Sequence, residues 1–418
     1  MGQAASFPRD AMRILFITPY FSPDYAASSP VYAAFAAELA NKGHEVTVVT
    51  GMPYYGRERL WEGYEGKLLV REQVSGYKIV RLYTYVSARQ NLPARIFSLW
   101  LFNMLSFFHI IVTKGCDVAF IPNPFIQAGL ALHFLATLRK VPVVFSVEDI
   151  YPDVAVRVTS FGKWFAPLLG ALEKSCYRRA RLVRVLSGEM RDQLRAAGVP
   201  DDKLLLVPNL ADTDFIRPLP RNNRFREKYG IAEDTFVVMY AGNMGFSSGL
   251  EVVIEAAELL REERDVLFLL IGEGVRRLQL QEAAAARQLP NVRFVPFQPR
   301  EELPWVLAAA DLSLVTLAPG IANESLPSKT YWLLASGRPV VAVAPKGAAL
   351  AELVERARCG VRVDSNRGLA DTIRRLRADS AARARMGQQG RDFVVANFSR
   401  QAICDQLEAV LLRAAGLR

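Results

Sequence analysis

Short apolar runs, stopped by proline- and glycine-punctuated loops, alternate with amphipathic stretches along almost the whole chain. The first run, Arg13-Ile-Leu-Phe-Ile-Thr18, ends at Pro19-Tyr-Phe-Ser-Pro23 and reads as a strand. Ser29-Pro30 opens an alanine-rich helix predicted over 31–41, with proline where a missing N–H is harmless, and Gly43 closes it. A strand over 45–50 completes a βαβ unit, so these strands run parallel with a right-handed crossover. The runs at 118–121, 143–147 and 182–186 are almost wholly apolar or β-branched, as strands buried on both faces are.

Around Val207-Pro-Asn-Leu-Ala-Asp-Thr-Asp-Phe-Ile-Arg-Pro-Leu-Pro220 the composition shifts to Pro, Asn and Asp, which marks a linker. Beyond it the alternation restarts. Strands are predicted at 236–240, 266–271, 292–295, 312–315 and 340–343, with helices at 250–262, 275–288 and 328–336. The chain therefore reads as α/β, with two Rossmann-like doubly wound domains: an N-terminal domain over 1–206 and a C-terminal one over 207–395. A closing helix over 396–418 is expected to pack back towards the first domain. Such sheets take ligands outside the carboxyl ends of their strands, so the expected site is a cleft between the domains.

Composition supports this division. The length of 418 residues exceeds one ordinary core, and 51% hydrophobic with 22% charged residues fits a packed protein rather than a disordered one. A net charge of +10 favours an anionic partner without choosing among nucleic acid, acidic lipid and phosphorylated substrate. The four cysteines are scattered, with no metal-ligand spacing, which disfavours disulfides and structural zinc and favours a reducing compartment. The N-terminus lacks the features of a signal peptide.

One stretch stands apart. Residues 96–113 (IFSLWLFNMLSFFHIIVT) carry no formal charge and are flanked by Arg95 and Lys114. Three readings stay open: a buried or half-buried helix, an interfacial helix anchored by Trp100 and Phe107, and a true membrane span. The basic run Lys174, Arg178, Arg179, Arg181 and Arg184 reads either as a solvated helix face or, with the apolar segment, as a dock for an anionic bilayer.

The chemistry concentrates in residues 323–343. Pro327 lies at the first turn of a helix that Gly337 ends, so amides near Ser325 and Leu326 are candidates for a diphosphate cradle, with Lys329 adding a compact cation. Glu324, before the helix, suits hydrogen bonds from sugar hydroxyls better than contact with phosphate. A surface lysine on an ordinary proline-started helix is the plainer alternative. After the 236–240 strand, Gly242, Gly245 and Gly249 let backbone approach a ligand closely, with Asn243 beside them. Gly272-Glu-Gly274 lacks the third glycine and the acidic residue of a dinucleotide site. In the first domain, Glu148 and Asp149 follow the 143–147 strand. Asp149 is the candidate to orient or deprotonate an acceptor hydroxyl, and Glu148 a further candidate acid.

Glu324, the turn, the helix and Ser336-Gly-Arg-Pro-Val-Val-Ala342 together resemble the donor-site signature of glycosyltransferase family 4, whose fold is GT-B. The form Pro327-Ser328-Lys329 followed by an aromatic is similar to the subgroup of N-acetylfucosamine and colanic-acid-type surface polysaccharide transferases. The resemblance spans nearly the whole chain. It implies a retaining transfer of an N-acetylated or deoxy hexose from a UDP-sugar to a polyprenyl-diphosphate-linked or saccharide acceptor. The setting implied is cytoplasmic, at the inner face of the membrane. It places Phe297 at the nucleobase, and Gly242, Asn243, Gly245, Ser325, Leu326 and Lys329 at the donor. Trp332 stands where the family carries a second Glu for the ribose, and Asn243, Phe246 and Ser248 occupy a turn that usually holds Arg and Lys. No DxD-type sequence sits convincingly at a strand end, so neither metal nor other cofactor is expected, nor a nucleic-acid partner. Two rivals remain: a sugar-nucleotide 2-epimerase of similar fold, which needs cleft histidines that His44, His109 and His133 do not supply, and a non-catalytic two-lobed sugar-binding protein.

Overall fold

A computed structural model describes residues 11–24, 26, 28–54, 59–74, 76–87, 92–150, 162–318, 327 and 329–417. The chain divides into two compact units, Met1–Leu210 with Ile403–Arg418, and Ala211–Ala402.

The first unit holds an eight-stranded sheet. In chain order its strands are β1 Arg13–Ile17, β2 Glu45–Gly51, β3 Leu69–Val74, β4 Tyr77–Leu82, β5 Val118–Pro122, β6 Val143–Ser146, β7 Leu182–Val185 and β8 Leu204–Leu206. Their order across the sheet is β3-β4-β2-β1-β5-β6-β7-β8. All neighbours run parallel except the β3–β4 hairpin. The direction of winding reverses between β1 and β5, which puts the unit's ligand crevice at their carboxyl ends. Helix α1 (Ser29–Asn41), with Pro30 in its first turn, crosses from β1 to β2 and buries Tyr32, Phe35 and Leu39. Leu15, Ile17, Val49, Ile121, Phe145 and Val183 lie at the centre of the core. The hairpin was not expected from the alternation, because β3 at the sheet edge carries Arg71, Glu72 and Gln73 among its apolar residues.

The second unit is a six-stranded parallel sheet. Its strands are β9 Phe236–Ala241, β10 Val266–Ile271, β11 Val292–Val295, β12 Leu312–Thr316, β13 Val340–Val343 and β14 Gly360–Val363, in the order β11-β10-β9-β12-β13-β14. Here the switch point lies between β9 and β12. The closing helix expected over 396–418 runs Arg400–Ala415, directly after the helix Ser380–Phe398. From Ile403 onward the last helix belongs to the first unit, where Glu408 accepts from Lys42 at 2.6 Å and pairs with the buried His44 at 3.0 Å.

Candidate functional site

In the second unit the carboxyl ends of β9 and β10, next to the switch point, are crowded with glycine for a steric reason. A Cβ on Gly272 would lie 1.9 Å from the Gly242 carbonyl oxygen, and one on Gly274 would lie 2.5 Å from that of Met244. Both glycines also have positive φ, which side chains other than glycine's rarely tolerate. Two turns can therefore lie backbone to backbone. The Gly242 N–H donates to Ile271 O (2.9 Å), the Met244 N–H to Glu273 O (2.8 Å) and the Arg276 N–H to Met244 O (3.0 Å). From the far side the Ala318 N–H, just past β12, donates to Ser247 O at 3.0 Å. Among the described residues neither the Asn243 nor the Gly245 amide has an acceptor, so this turn offers two free donors to an anion.

Lys329 begins the Lys329–Ala335 helix and reaches the same place. Its Nζ stands 3.5 Å above the Tyr240 ring centroid, and a Cβ on Gly242 would meet that Nζ at 3.2 Å. Among the described residues no carboxylate pairs with it, and burial alone pushes its pKa down from 10.5 to about 7. The residue as a whole is half-buried, so the desolvation falls on its ammonium end. The tyrosine face offsets only part of that cost. An ammonium held so, beside free amides, is matched to an anion. Tyr240 is itself fixed by donating its hydroxyl proton to Asn243 O at 2.7 Å. Phe297 is an exposed ring whose Cε1 would lie 3.5 Å from a Cβ on Gly272, the border of the same site. The structure thus brings together Gly242, Asn243, Gly245, Phe297 and Lys329. Glu324, Ser325 and Leu326 lie outside the described residues. Tyr240 escaped the sequence reading because it looks like one more apolar strand residue; its register on β9, two residues before Gly242, was the only signal.

In the first unit Glu148 and Asp149 leave the carboxyl end of β6. They differ sharply. Glu148 Oε1 accepts from Tyr32 Oη (2.9 Å), Ser146 Oγ (2.9 Å) and Arg184 Nη1 (3.0 Å), and Oε2 accepts from Asn209 Nδ2 (3.2 Å). A carboxyl group surrounded by donors is held as an acceptor, which does not suit the proton-donor role considered for it. Asp149 is exposed, and among the described residues none bonds its carboxylate. Burial of the loop base, and then the Glu148 charge, raise its pKa above the ordinary carboxyl value. An exposed carboxylate with raised pKa at a strand's carboxyl end can accept a hydroxyl proton. Arg184 is fully buried on β7, which removes it from the basic surface where Lys174, Arg178, Arg179 and Arg181 are exposed.

The apolar segment forms helix α2, Leu92–Val112. One face packs inward through Phe102, Asn103, Ser106 and Ile110, and Asn103 donates to Phe125 O at 3.1 Å. The other exposes Ile96, Phe97, Trp100, Phe108, Ile111 and Val112. An 18-residue window within Pro93–Val112 has mean hydropathy 1.6, and only 28% of it is buried. Phe107 is not the exposed anchor expected: it packs on Phe134, with centroids 5.7 Å apart, and Phe108 faces out instead.

Comparison with known proteins bears on both units. The family model "Glycosyl transferase 4-like domain" matches residues 28–210, and "Glycosyl transferases group 1" matches 221–393. A putative colanic acid biosynthesis glycosyl transferase, WcaI of Escherichia coli (strain K12), is 28% identical over 361 residues, covering 82% of this chain and 86% of that protein. The alpha-D-kanosaminyltransferase of Streptomyces kanamyceticus is 28% identical over 285 residues, covering 66% and 72%. Among solved structures, sucrose-phosphate synthase from Thermosynechococcus elongatus superposes with TM-score 0.71 at 19% identity, over 97% of this chain and 100% of that one. HepE of Anabaena, solved with UDP and glucose, gives 0.68 at 19%, over 96% and 100%. The two Rossmann-like units are those of the GT-B fold, the enzyme is a hexosyltransferase, and the chain belongs to glycosyltransferase family 4, in its colanic-acid-type group.

Proposed function

We propose that the enzyme transfers an N-acetylated or deoxy hexose, with retention, from a UDP-sugar to a lipid-linked or saccharide acceptor in surface polysaccharide assembly. The observation that carries the reading is the Lys329 ammonium, paired with no carboxylate among the described residues, beside the Gly242–Gly245 turn at the switch point of a sheet. In this reading the developing diphosphate charge meets Lys329 and the Asn243 and Gly245 amides, preorganised before the donor arrives. Phe297 stacks on the base, Glu324 takes sugar hydroxyls, and Asp149 orients the acceptor hydroxyl. Lys329 supplies the positive charge that a divalent cation supplies elsewhere, so turnover needs no metal. The structure of HepE with UDP-glucose supports a uridine nucleotide as donor for a protein of this fold. The exposed face of α2 supports docking at an anionic inner membrane surface, where a polyprenyl-linked acceptor resides.

The test is UDP release from a panel of UDP-sugars, with and without lipid acceptor, in EDTA. Acceptor-stimulated release that survives EDTA is expected. A preference for GDP- or ADP-sugars overturns the uridine assignment, and free epimerised sugar nucleotide overturns transfer in favour of epimerisation.

A further inference from the structure

The β6–β7 end of the first unit holds more polar chemistry than its core needs. Arg184 sits among Leu182, Val183 and Val185 on an otherwise apolar strand and is fully buried. It spends one bond from each of its five N–H groups. Nε donates to Val207 O (2.8 Å), Nη1 to Ser146 Oγ (2.8 Å) and Glu148 Oε1 (3.0 Å), and Nη2 to Pro208 O (2.9 Å) and Asn209 Oδ1 (2.7 Å). A buried ion pair adds little net stability compared with apolar side chains of the same volume, so stability alone does not account for it. Its place is informative. The pair lies one and two strands beyond β5, which flanks the reversal of sheet winding, yet Tyr32, which donates to Glu148, comes from α1, the helix that follows β1.

A second anchor grips the same loop. Asn123, buried at the end of β5, accepts the Glu148 N–H at 2.9 Å and donates to Asp149 O at 2.6 Å. Its amide is held in turn by Glu173 Oε1 at 3.0 Å. The Glu148 side chain and the Asp149 carbonyl are thus fixed from opposite directions, while the Asp149 carboxylate is left exposed.

We propose that Arg184 and Glu148 are a positioning pair for glycosyl transfer: with Asn209 they clamp the 207–209 segment to the β6 loop and set where Asp149 meets the acceptor hydroxyl. This rests on the transferase reading above and adds residues that do not touch the donor. It also separates two activities. Hydrolysis of the UDP-sugar by water needs the donor site of the second unit, whereas transfer to a bulky acceptor needs Asp149 aligned as well.

The experiment compares acceptor transfer, hydrolysis of the same UDP-sugar and UDP affinity in the full-length protein and two variants. Glu148→Gln is expected to lower transfer about 100-fold, the usual cost of an ångström-scale misalignment, with hydrolysis and UDP affinity held within about twofold. Asn209→Ala leaves the Arg184–Glu148 pair in place, so it serves if Glu148→Gln does not fold. Its expected loss is in the same direction and smaller, about tenfold. Transfer and hydrolysis falling in parallel, or neither falling, overturns the positioning role. A wild-type protein that releases no UDP from any donor overturns instead the reading on which it rests.

Discussion

Replacing Lys329 with methionine removes the ammonium but keeps most of the volume over the Tyr240 ring. The gap between an ordinary lysine at 10.5 and Lys329 at about 7 corresponds to roughly 5 kcal/mol held against the charged form in the free protein. A diphosphate oxygen within reach of Nζ makes a charge-assisted bond worth about 1.5–3 kcal/mol. Losing it raises the dissociation constant for UDP about 10- to 150-fold. The pH dependence is the sharper signature. Free Lys329 is half-protonated near pH 7, and the bound anion raises its pKa, so binding takes up a proton. Above pH 7 the wild-type dissociation constant climbs towards tenfold per unit, over a range where the terminal phosphate, with a pKa near 6, is already ionised. Stability moves the opposite way to the usual lysine. The folded pKa lies below the unfolded one, so the penalty is full below about pH 7 and is relieved as pH rises towards 10.5. The ligand-free variant is therefore more thermostable than wild type at pH 6, with the difference shrinking by pH 9. Calorimetric titration of UDP from pH 6.5 to 9, with melting curves at both ends, measures all three. A variant that binds UDP within about twofold of wild type, with the same pH slope, refutes the assignment of Lys329 to the diphosphate.

Other outcomes follow from the same geometry. Gly272→Ala forces a Cβ against the Gly242 carbonyl at positive φ. It is expected to cost about 1–3 kcal/mol of stability and most UDP affinity; an unchanged melting temperature contradicts the backbone-contact argument. Asp149→Asn should lower transfer about 100-fold or more while leaving UDP binding intact. In the wild type the acid limb of transfer should lie at higher pH than an ordinary aspartate gives, since burial and then the Glu148 charge hold the Asp149 pKa up. A limb unmoved by Asp149→Asn assigns it to another group. Trp100→Asp with Phe97→Asp, on the exposed face of α2, should abolish flotation with anionic liposomes without altering the melting curve. A wild-type protein that ignores such liposomes removes membrane docking.

Parallel strands buried on both faces announce themselves as apolar runs, and Val266–Ile271 and Val340–Val343 coincide with the runs read from the sequence. Three edge strands do not: β3, β8 and β14 are short or mixed in polarity and went unseen, whereas the edge strand β11 coincides with the run read at 292–295. Gly242 and Gly245 were legible because few side chains tolerate such close backbone approach. Lys329 was legible from its helix start. Tyr240, Asn123 and Arg184 were not, since their roles arise only when strands distant in sequence become neighbours. Arg184 was even read as part of a basic surface; burial on β7 is a tertiary outcome that a run of arginines hides. Phe107 and Phe108, adjacent on α2, show the same limit, since only packing against Phe134 decides which faces out.

The central claim is that the 324–337 segment holds the sugar and diphosphate during transfer. Measuring acceptor-dependent sugar transfer by Glu324→Ala, on protein shown by its melting curve to be folded, tests it most directly. The account predicts that transfer is abolished while the fold is kept. Near-normal turnover in that variant contradicts it.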